Sequence, residues 1–133
     1  MKRILIDTNI YAAFKRNIAG VTEILRRVDY IGINTIVLGE LYGGFKGGSK
    51  ERSNLLELER FLDSPRVQVI PIDETTSEFY GQIYWRLHRK GSPIPTNDLW
   101  IASSAMQHGL KVLTTDKHYL KVPQIITEYF EAS

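Results

Sequence analysis

Short apolar runs that stop abruptly alternate along the chain with stretches whose apolar residues recur every three or four positions. Ile4-Leu5-Ile6, closed by Asp7, has the pattern of a short buried strand. Ile10–Phe14 suits a brief helix, ended by Lys15-Arg16-Asn17 and Gly20. Between Thr22 and Val28 a helix would put Ile24, Leu25 and Val28 on one face and Arg26 and Arg27 on the other. Tyr30–Ile33 predicts a second strand, and Asn34-Thr35 is a helix start signal. The helix that follows, Ile36–Tyr42, is largely apolar around Glu40 and is expected to stop at Gly43-Gly44 and Gly47-Gly48. Lys50–Leu62 is amphipathic, with Leu55, Leu58 or Glu59, and Leu62 on or near one stripe, and Val67–Ile70 alternates as a third strand.

Asp73 predicts the cap of a long helix reaching about Lys90. Along it Phe79, Tyr80, Ile83, Tyr84 and Leu87 form a stripe that reads as core or a subunit interface. Gly91-Ser-Pro-Ile-Pro95 breaks the chain, Thr96 is expected to cap Asn97–His108, and Gly109 ends that helix. Lys111–Thr115 is a fourth strand closed by Asp116, and Ile125–Thr127 a fifth. Strands alternating with helices predict an α/β fold with a central, mainly parallel sheet and helices on both faces.

At 133 residues the chain is expected to form one domain, residues 1–133. Its 43% hydrophobic and 11% aromatic content suits a folded, soluble protein. Seventeen Lys and Arg against fifteen Asp and Glu leave a charge of +2, which permits contact with nucleic acid without requiring it. The absence of cysteine excludes disulfides, thiolate zinc sites, iron–sulfur clusters and a cysteine nucleophile. The opening apolar run is too short for a signal peptide, and no stretch approaches the ~18 apolar residues of a membrane span. The expected location is the cytoplasm. The run Gly43-Gly-Phe-Lys-Gly-Gly-Ser-Lys50 is not a phosphate-binding loop, since Ser49 precedes its lysine and a helix precedes the run. No G-x-G-x-x-G follows the first strand, and neither H-E-x-x-H nor G-x-S-x-G occurs.

Four carboxylates remain. Asp7, taken alone, or its neighbour Thr8, would cap the first helix. Glu40 has apolar or glycine neighbours, so part of its turn is expected to be buried, where an unpaired carboxylate costs several kcal/mol; its other reading is an exposed helix face. Asp98 lies in a first helical turn, favourable to the macrodipole by ~0.3–1 kcal/mol, and Asp116 follows a strand as turn residues do. In a right-handed parallel sheet, however, strand ends and the helix starts that follow them share one edge. Asp7, Asp98 and Asp116 sit at such junctions, and Glu40 one turn beyond one. Four carboxylates there would repel, and a divalent cation is the natural remedy. Oxygen ligands without His or Cys favour Mg²⁺ or Mn²⁺ over zinc.

Asp7-Thr8-Asn9 after an opening strand, Glu40 in an apolar helix, Pro95-Thr-Asn-Asp-Leu-Trp-Ile-Ala102 and Thr114-Thr-Asp-Lys-His-Tyr119 together resemble the PIN-domain family, most of all the VapC toxins of toxin–antitoxin pairs. The resemblance spans essentially the whole chain. It implies a three-layer αβα sandwich and a Mg²⁺- or Mn²⁺-dependent endoribonuclease that hydrolyses RNA phosphodiester bonds by metal-activated water, leaving a 5′-phosphate and a 3′-hydroxyl. On that pattern Asp7, Glu40 and Asp98 hold metal, with Asp116 completing the acidic set directly or through water. Thr8 or Asn9, Asn97, and Thr114 or Thr115 would orient the carboxylates and water. A homodimer, silenced by a cognate antitoxin, is also implied. Lys15-Arg16, Lys46, Lys50 and Lys117 are candidates to grip RNA, with Arg86, Arg89 and Lys90 near the site or only solvating their helix. Competing readings are a non-toxin RNA-processing nuclease, an RNA-binding module, and a phosphohydrolase using Asp7 as nucleophile. The last is disfavoured by Asn9, which stands where such chemistry commonly places a second aspartate.

Overall fold

The structure, a computed structural model, describes residues 2–131; Met1, Ala132 and Ser133, at the ends of the expected domain, lie outside the described residues. The elements run β1 (Arg3–Ile6), α1 (Thr8–Lys15), α2 (Ala19–Arg27), β2 (Tyr30–Asn34), α3 (Thr35–Gly47), α4 (Glu51–Leu62), β3 (Val67–Ile70), α5 (Glu74–Arg89), α6 (Thr96–His108), β4 (Lys111–Thr114), a 3₁₀ turn (Lys117–Lys121) and β5 (Thr127–Tyr129). Among the described residues no helix is long and apolar enough to cross a membrane.

The five strands form one sheet in the order β3-β2-β1-β4-β5, and every pairing is parallel. Ile4, Leu5 and Ile6 of the central strand are fully buried, as a strand covered on both faces demands. From β1 the chain winds outward through β2 and β3, then crosses back to place β4 on the other side of β1. With right-handed crossovers that reversal puts helices on both faces. It also opens a crevice at the carboxyl ends of β1 and β4, where open α/β sheets bind ligands. Register aligns Ile6 with Leu113, so Asp7, just past the end of β1, emerges beside Thr114, the last residue of β4.

The helices follow their apolar periodicity, with several displaced boundaries. Asn34 caps α3 by accepting the Val37 N–H (3.0 Å), and Asp73 caps α5 in a reciprocal box with Thr76. Thr96 does not cap α6: the N-cap position is Pro95, which has no side-chain bond to offer, and Thr96 is already helical. At the other end Gly109 supplies the left-handed C-cap (φ 63°). Of the two glycine pairs after Tyr42, Gly43-Gly44 stay helical and Gly47-Gly48 end α3, which lets Phe45 pack against the core. Only Leu58 of the α4 stripe is buried, while Leu55 is exposed. The last strand begins at Thr127 because the 3₁₀ turn and Pro123 consume the preceding chain; pairing starts where the Ile126 carbonyl accepts Val112 N–H (2.9 Å).

Candidate metal centre

Asp7 both caps α1 and faces the crevice. Its Oδ1 accepts the Ile10 N–H (3.0 Å), and its Oδ2 accepts the Thr114 hydroxyl (2.5 Å). The cap is therefore Asp7 and not Thr8. Asp7 is only 4% exposed, and burial pushes its carboxyl up to about 6. The Thr114 and Ile10 donors oppose that shift, whereas the charges of Asp116 and Glu40 reinforce it.

Glu40 is exposed, the second of the two readings its sequence neighbours left open. The inward face of α3 is taken by Val37 and Leu41, four residues apart, and Glu40 lies off that line. Its carboxylate nevertheless joins two other motifs. Thr8 Oγ1 donates to Oε1 (2.6 Å) and Asn97 Nδ2 donates to Oε2 (3.1 Å). The residue after Asp7 and the residue before Asp98 are thereby tied through Glu40.

Asp98, in the first turn of α6, receives the Tyr119 hydroxyl on Oδ1 (3.3 Å) and faces His118 Nδ1 at Oδ2 (2.9 Å). Burial pushes its carboxyl up to about 6, the adjoining Asp116 carboxyl adds to this, and His118 opposes it. Asp116 has its own loop geometry: its N–H donates to Thr114 Oγ1 (2.9 Å) and its Oδ1 accepts the His118 N–H (2.9 Å). Burial would raise Asp116 too, but the His118 N–H, the hydrogen bond with Asp98 and the imidazole hold it below the ordinary aspartate value. Of the two neighbouring acids, Asp98 is the one that holds its proton to higher pH. The buried Tyr119 phenol, surrounded by these acids, is raised as well, chiefly by burial.

Ligand atoms of Asp98, Asp116 and His118 lie within 4.8 Å of one another, while Asp7 and Glu40 flank that group through Thr114, Thr8 and Asn97. Not all the expected supporting residues gather here. Asn9 and Thr115 line a separate cavity of about 240 Å³ with Arg16 and Phe130. Among the described residues neither hydrogen-bonds to the acids. Lys15 is paired with Glu57 (2.9 Å) and Lys46 with Glu51 (3.0 Å). Arg86, Arg89 and Lys90 line a cavity with Trp85 and Gln124.

His118 and Tyr119 are the two site residues that sequence patterns leave without a role. Their presence in the motif after Asp116 is visible, and the Asp-x-His spacing on a turn is a usable chelation signal. Their contact with Asp98, twenty and twenty-one positions away, depends on how α6 meets the end of β4.

The donor set fits a divalent cation. Two carboxylates are driven toward their neutral forms by burial, and among the described residues no Lys or Arg pairs with any of the four acids. Carboxylate oxygens are ligands for hard cations.

The PIN domain profile matches residues 4–125. Ribonuclease VapC2 of Rickettsia felis is 32% identical over 132 residues, covering 96% of this chain and 97% of that protein. The tRNA(fMet)-specific endonuclease VapC of Shigella flexneri is also 32% identical over 132 residues, covering 96% and 98%. The solved VapBC2 complex of Rickettsia felis, bound to a promoter DNA fragment, contains a chain that superposes with a TM-score of 0.86 at 28% identity, over 96% of this chain and 98% of that one. A parallel sheet with its acids at the switch point, matched over almost its full length, leaves one assignment: the chain belongs to the PIN-domain family.

Proposed function

We propose that the chain is a divalent-metal-dependent endoribonuclease and the toxin of a toxin–antitoxin pair, acting in the cytoplasm. The observation that carries this reading is the convergence of Asp7, Glu40, Asp98 and Asp116 at the β1/β4 crevice with no Lys or Arg paired to them among the described residues. Relatives named as VapC ribonucleases, matched across nearly the whole chain, supply the substrate class.

Asp7, Asp98, Glu40 and Asp116 would hold Mg²⁺ or Mn²⁺. When bound, such an ion supplies Lewis acidity toward a phosphate and toward water. The chain's own contribution is orientation. Thr114 aims Asp7 and, through Asp116 N–H, sets the loop that carries Asp116. Thr8 and Asn97 hold Glu40 against the crevice. Water attacks phosphorus in line with the 3′-oxygen; the P–O3′ bond breaks, the 3′-oxygen takes a proton, and a 5′-phosphate remains. Lys117, next to Asp116, and Arg16 and Lys50 are the cations we assign to the RNA backbone, so binding weakens as salt rises.

The antitoxin partner is supported by the VapBC complex that this chain resembles. For the homodimer, support comes from the exposed rings of Tyr84 and Trp85 on α5, beside the near-parallel Tyr80–Tyr84 pair. Purified protein is expected to cleave RNA in Mg²⁺ or Mn²⁺, to stop in EDTA, and to arrest growth of a bacterial host, with Asp98→Asn folded but inert in all three assays. Undiminished cleavage by folded Asp98→Asn, or after rigorous metal removal, would overturn the reading.

A further inference from the structure

Two acids of the centre, Asp98 and Asp116, are joined by one nitrogen. His118 Nδ1 lies 2.9 Å from Asp98 Oδ2 and 2.9 Å from Asp116 Oδ1. For a small octahedral ion, with ligands at roughly 2.0–2.1 Å for Mg²⁺ and slightly longer for Mn²⁺, donors on adjacent corners stand √2 times farther apart, about 3 Å. The imidazole nitrogen therefore occupies the position an adjacent-corner ligand would take relative to both acids. The local fold holds it there. Asp116 accepts the His118 N–H, which closes the start of the 3₁₀ turn and brings the two side chains to one side. Tyr119, fully buried, anchors the turn, and its hydroxyl reaches the same Asp98 carboxylate. The imidazole itself is partly open to solvent, so a hydrated ion can reach it.

We propose that His118 is a nitrogen ligand of this centre, and that the centre consequently prefers Mn²⁺ to Mg²⁺. The inference rests on the metal-dependent reading above and narrows it. Mg²⁺ dehydrates reluctantly and takes oxygen ligands, whereas Mn²⁺, which also favours oxygen, accepts an imidazole nitrogen beside its carboxylates more readily. Ligation through Nδ1 places the ring proton on Nε2. A histidine that merely donates Nδ1–H to the two carboxylates would show the same distances, so the test has to see the nitrogen on the ion.

Tag-free protein is titrated with Mn²⁺, followed by the paramagnetic resonance of the free ion, and with Mg²⁺ by calorimetry. Pulsed paramagnetic resonance then looks for ¹⁴N modulation on bound Mn²⁺. We expect that modulation in the wild type and its loss in His118→Ala and His118→Asn. Those variants should bind Mn²⁺ about tenfold more weakly or worse, with Mg²⁺ affinity changed by less than about twofold. Bound Mn²⁺ that Asp98→Asn releases but that carries no ¹⁴N modulation overturns the His118 assignment and leaves the metal reading standing. Mn²⁺ binding unaffected by Asp98→Asn removes both. Should the His118 variants fail to fold, the wild-type ¹⁴N spectrum alone decides.

Discussion

Asp7→Asn should make the metal-free protein more stable while abolishing its chemistry. The Asp7 carboxyl is buried and raised from 3.8 to about 6, so in the folded state it binds a proton that the unfolded chain has already released. The folded value lies above the unfolded one. The associated stability is therefore complete below pH ~4 and is lost as pH rises through about 6. A shift of roughly two units at ~1.4 kcal/mol each makes ionised Asp7 cost about 3 kcal/mol at pH 7.5 and only about 1 kcal/mol at pH 4.5. Asparagine keeps the Oδ1 acceptor for the Ile10 N–H, and its amide can donate to a reoriented Thr114 hydroxyl. It thus stands in for the protonated acid without titrating. Urea unfolding in EDTA should show the variant more stable by up to about 3 kcal/mol at pH 7.5, with the gap shrinking to about 1 kcal/mol at pH 4.5. Adding Mg²⁺ or Mn²⁺ should stabilise the wild type and close the gap, because an ion bound only by the folded state shifts the equilibrium toward it. If the variant is equally or less stable at pH 7.5 in EDTA, burial is not the dominant influence on Asp7 and the argument fails.

Other substitutions probe the supports. Thr114→Val removes the donor to buried Asp7 Oδ2 and should cost about 1.5–3 kcal/mol of stability at pH 7.5, read as a lower urea midpoint with the slope unchanged. Asn34→Ala deletes the α3 cap and a buried bond to Ser104 Oγ (3.1 Å); about 2–3 kcal/mol should be lost in thermal or urea unfolding. Gly32→Ala puts a methyl 2.7 Å from Ile70 Cδ1 and 3.1 Å from Leu110 Cδ1 inside the core, so calorimetry should register about 1–3 kcal/mol of destabilisation. Gly109→Ala strains the left-handed cap of α6 by about 1 kcal/mol and should lower the melting temperature with no change in metal affinity.

Elements were legible where a strong local signal coincided with burial. Ile4–Ile6 ending at Asp7, Asn34 before α3 and Gly109 after α6 are decided by periodicity and cap chemistry within a few residues, and the structure agrees at each. Boundaries moved where packing outweighed local preference. Glycines 43 and 44 remain helical because α3 extends to seat Phe45, and β5 shifts toward the C-terminus because its start is set by pairing with Val112. Glu40 shows the limit of reading burial from neighbours: Val37 and Leu41 choose the inward face of the helix, and the charge between them turns outward.

By itself the sequence determined which chemistry was available. With no cysteine and four acids at strand and helix ends, it pointed to oxygen ligands, a divalent cation and a family whose motifs span the chain. It could not say which junctions meet. That depends on strand order, and only the crossover that seats β4 beside β1 brings Asp7 against Thr114, two residues 107 positions apart. The same packing carries Asp98 onto His118 and sets an imidazole beside acids that the sequence offered as oxygen ligands alone. Local patterns reach a few residues along the chain, whereas a site assembled across a sheet edge exists only once the sheet has closed.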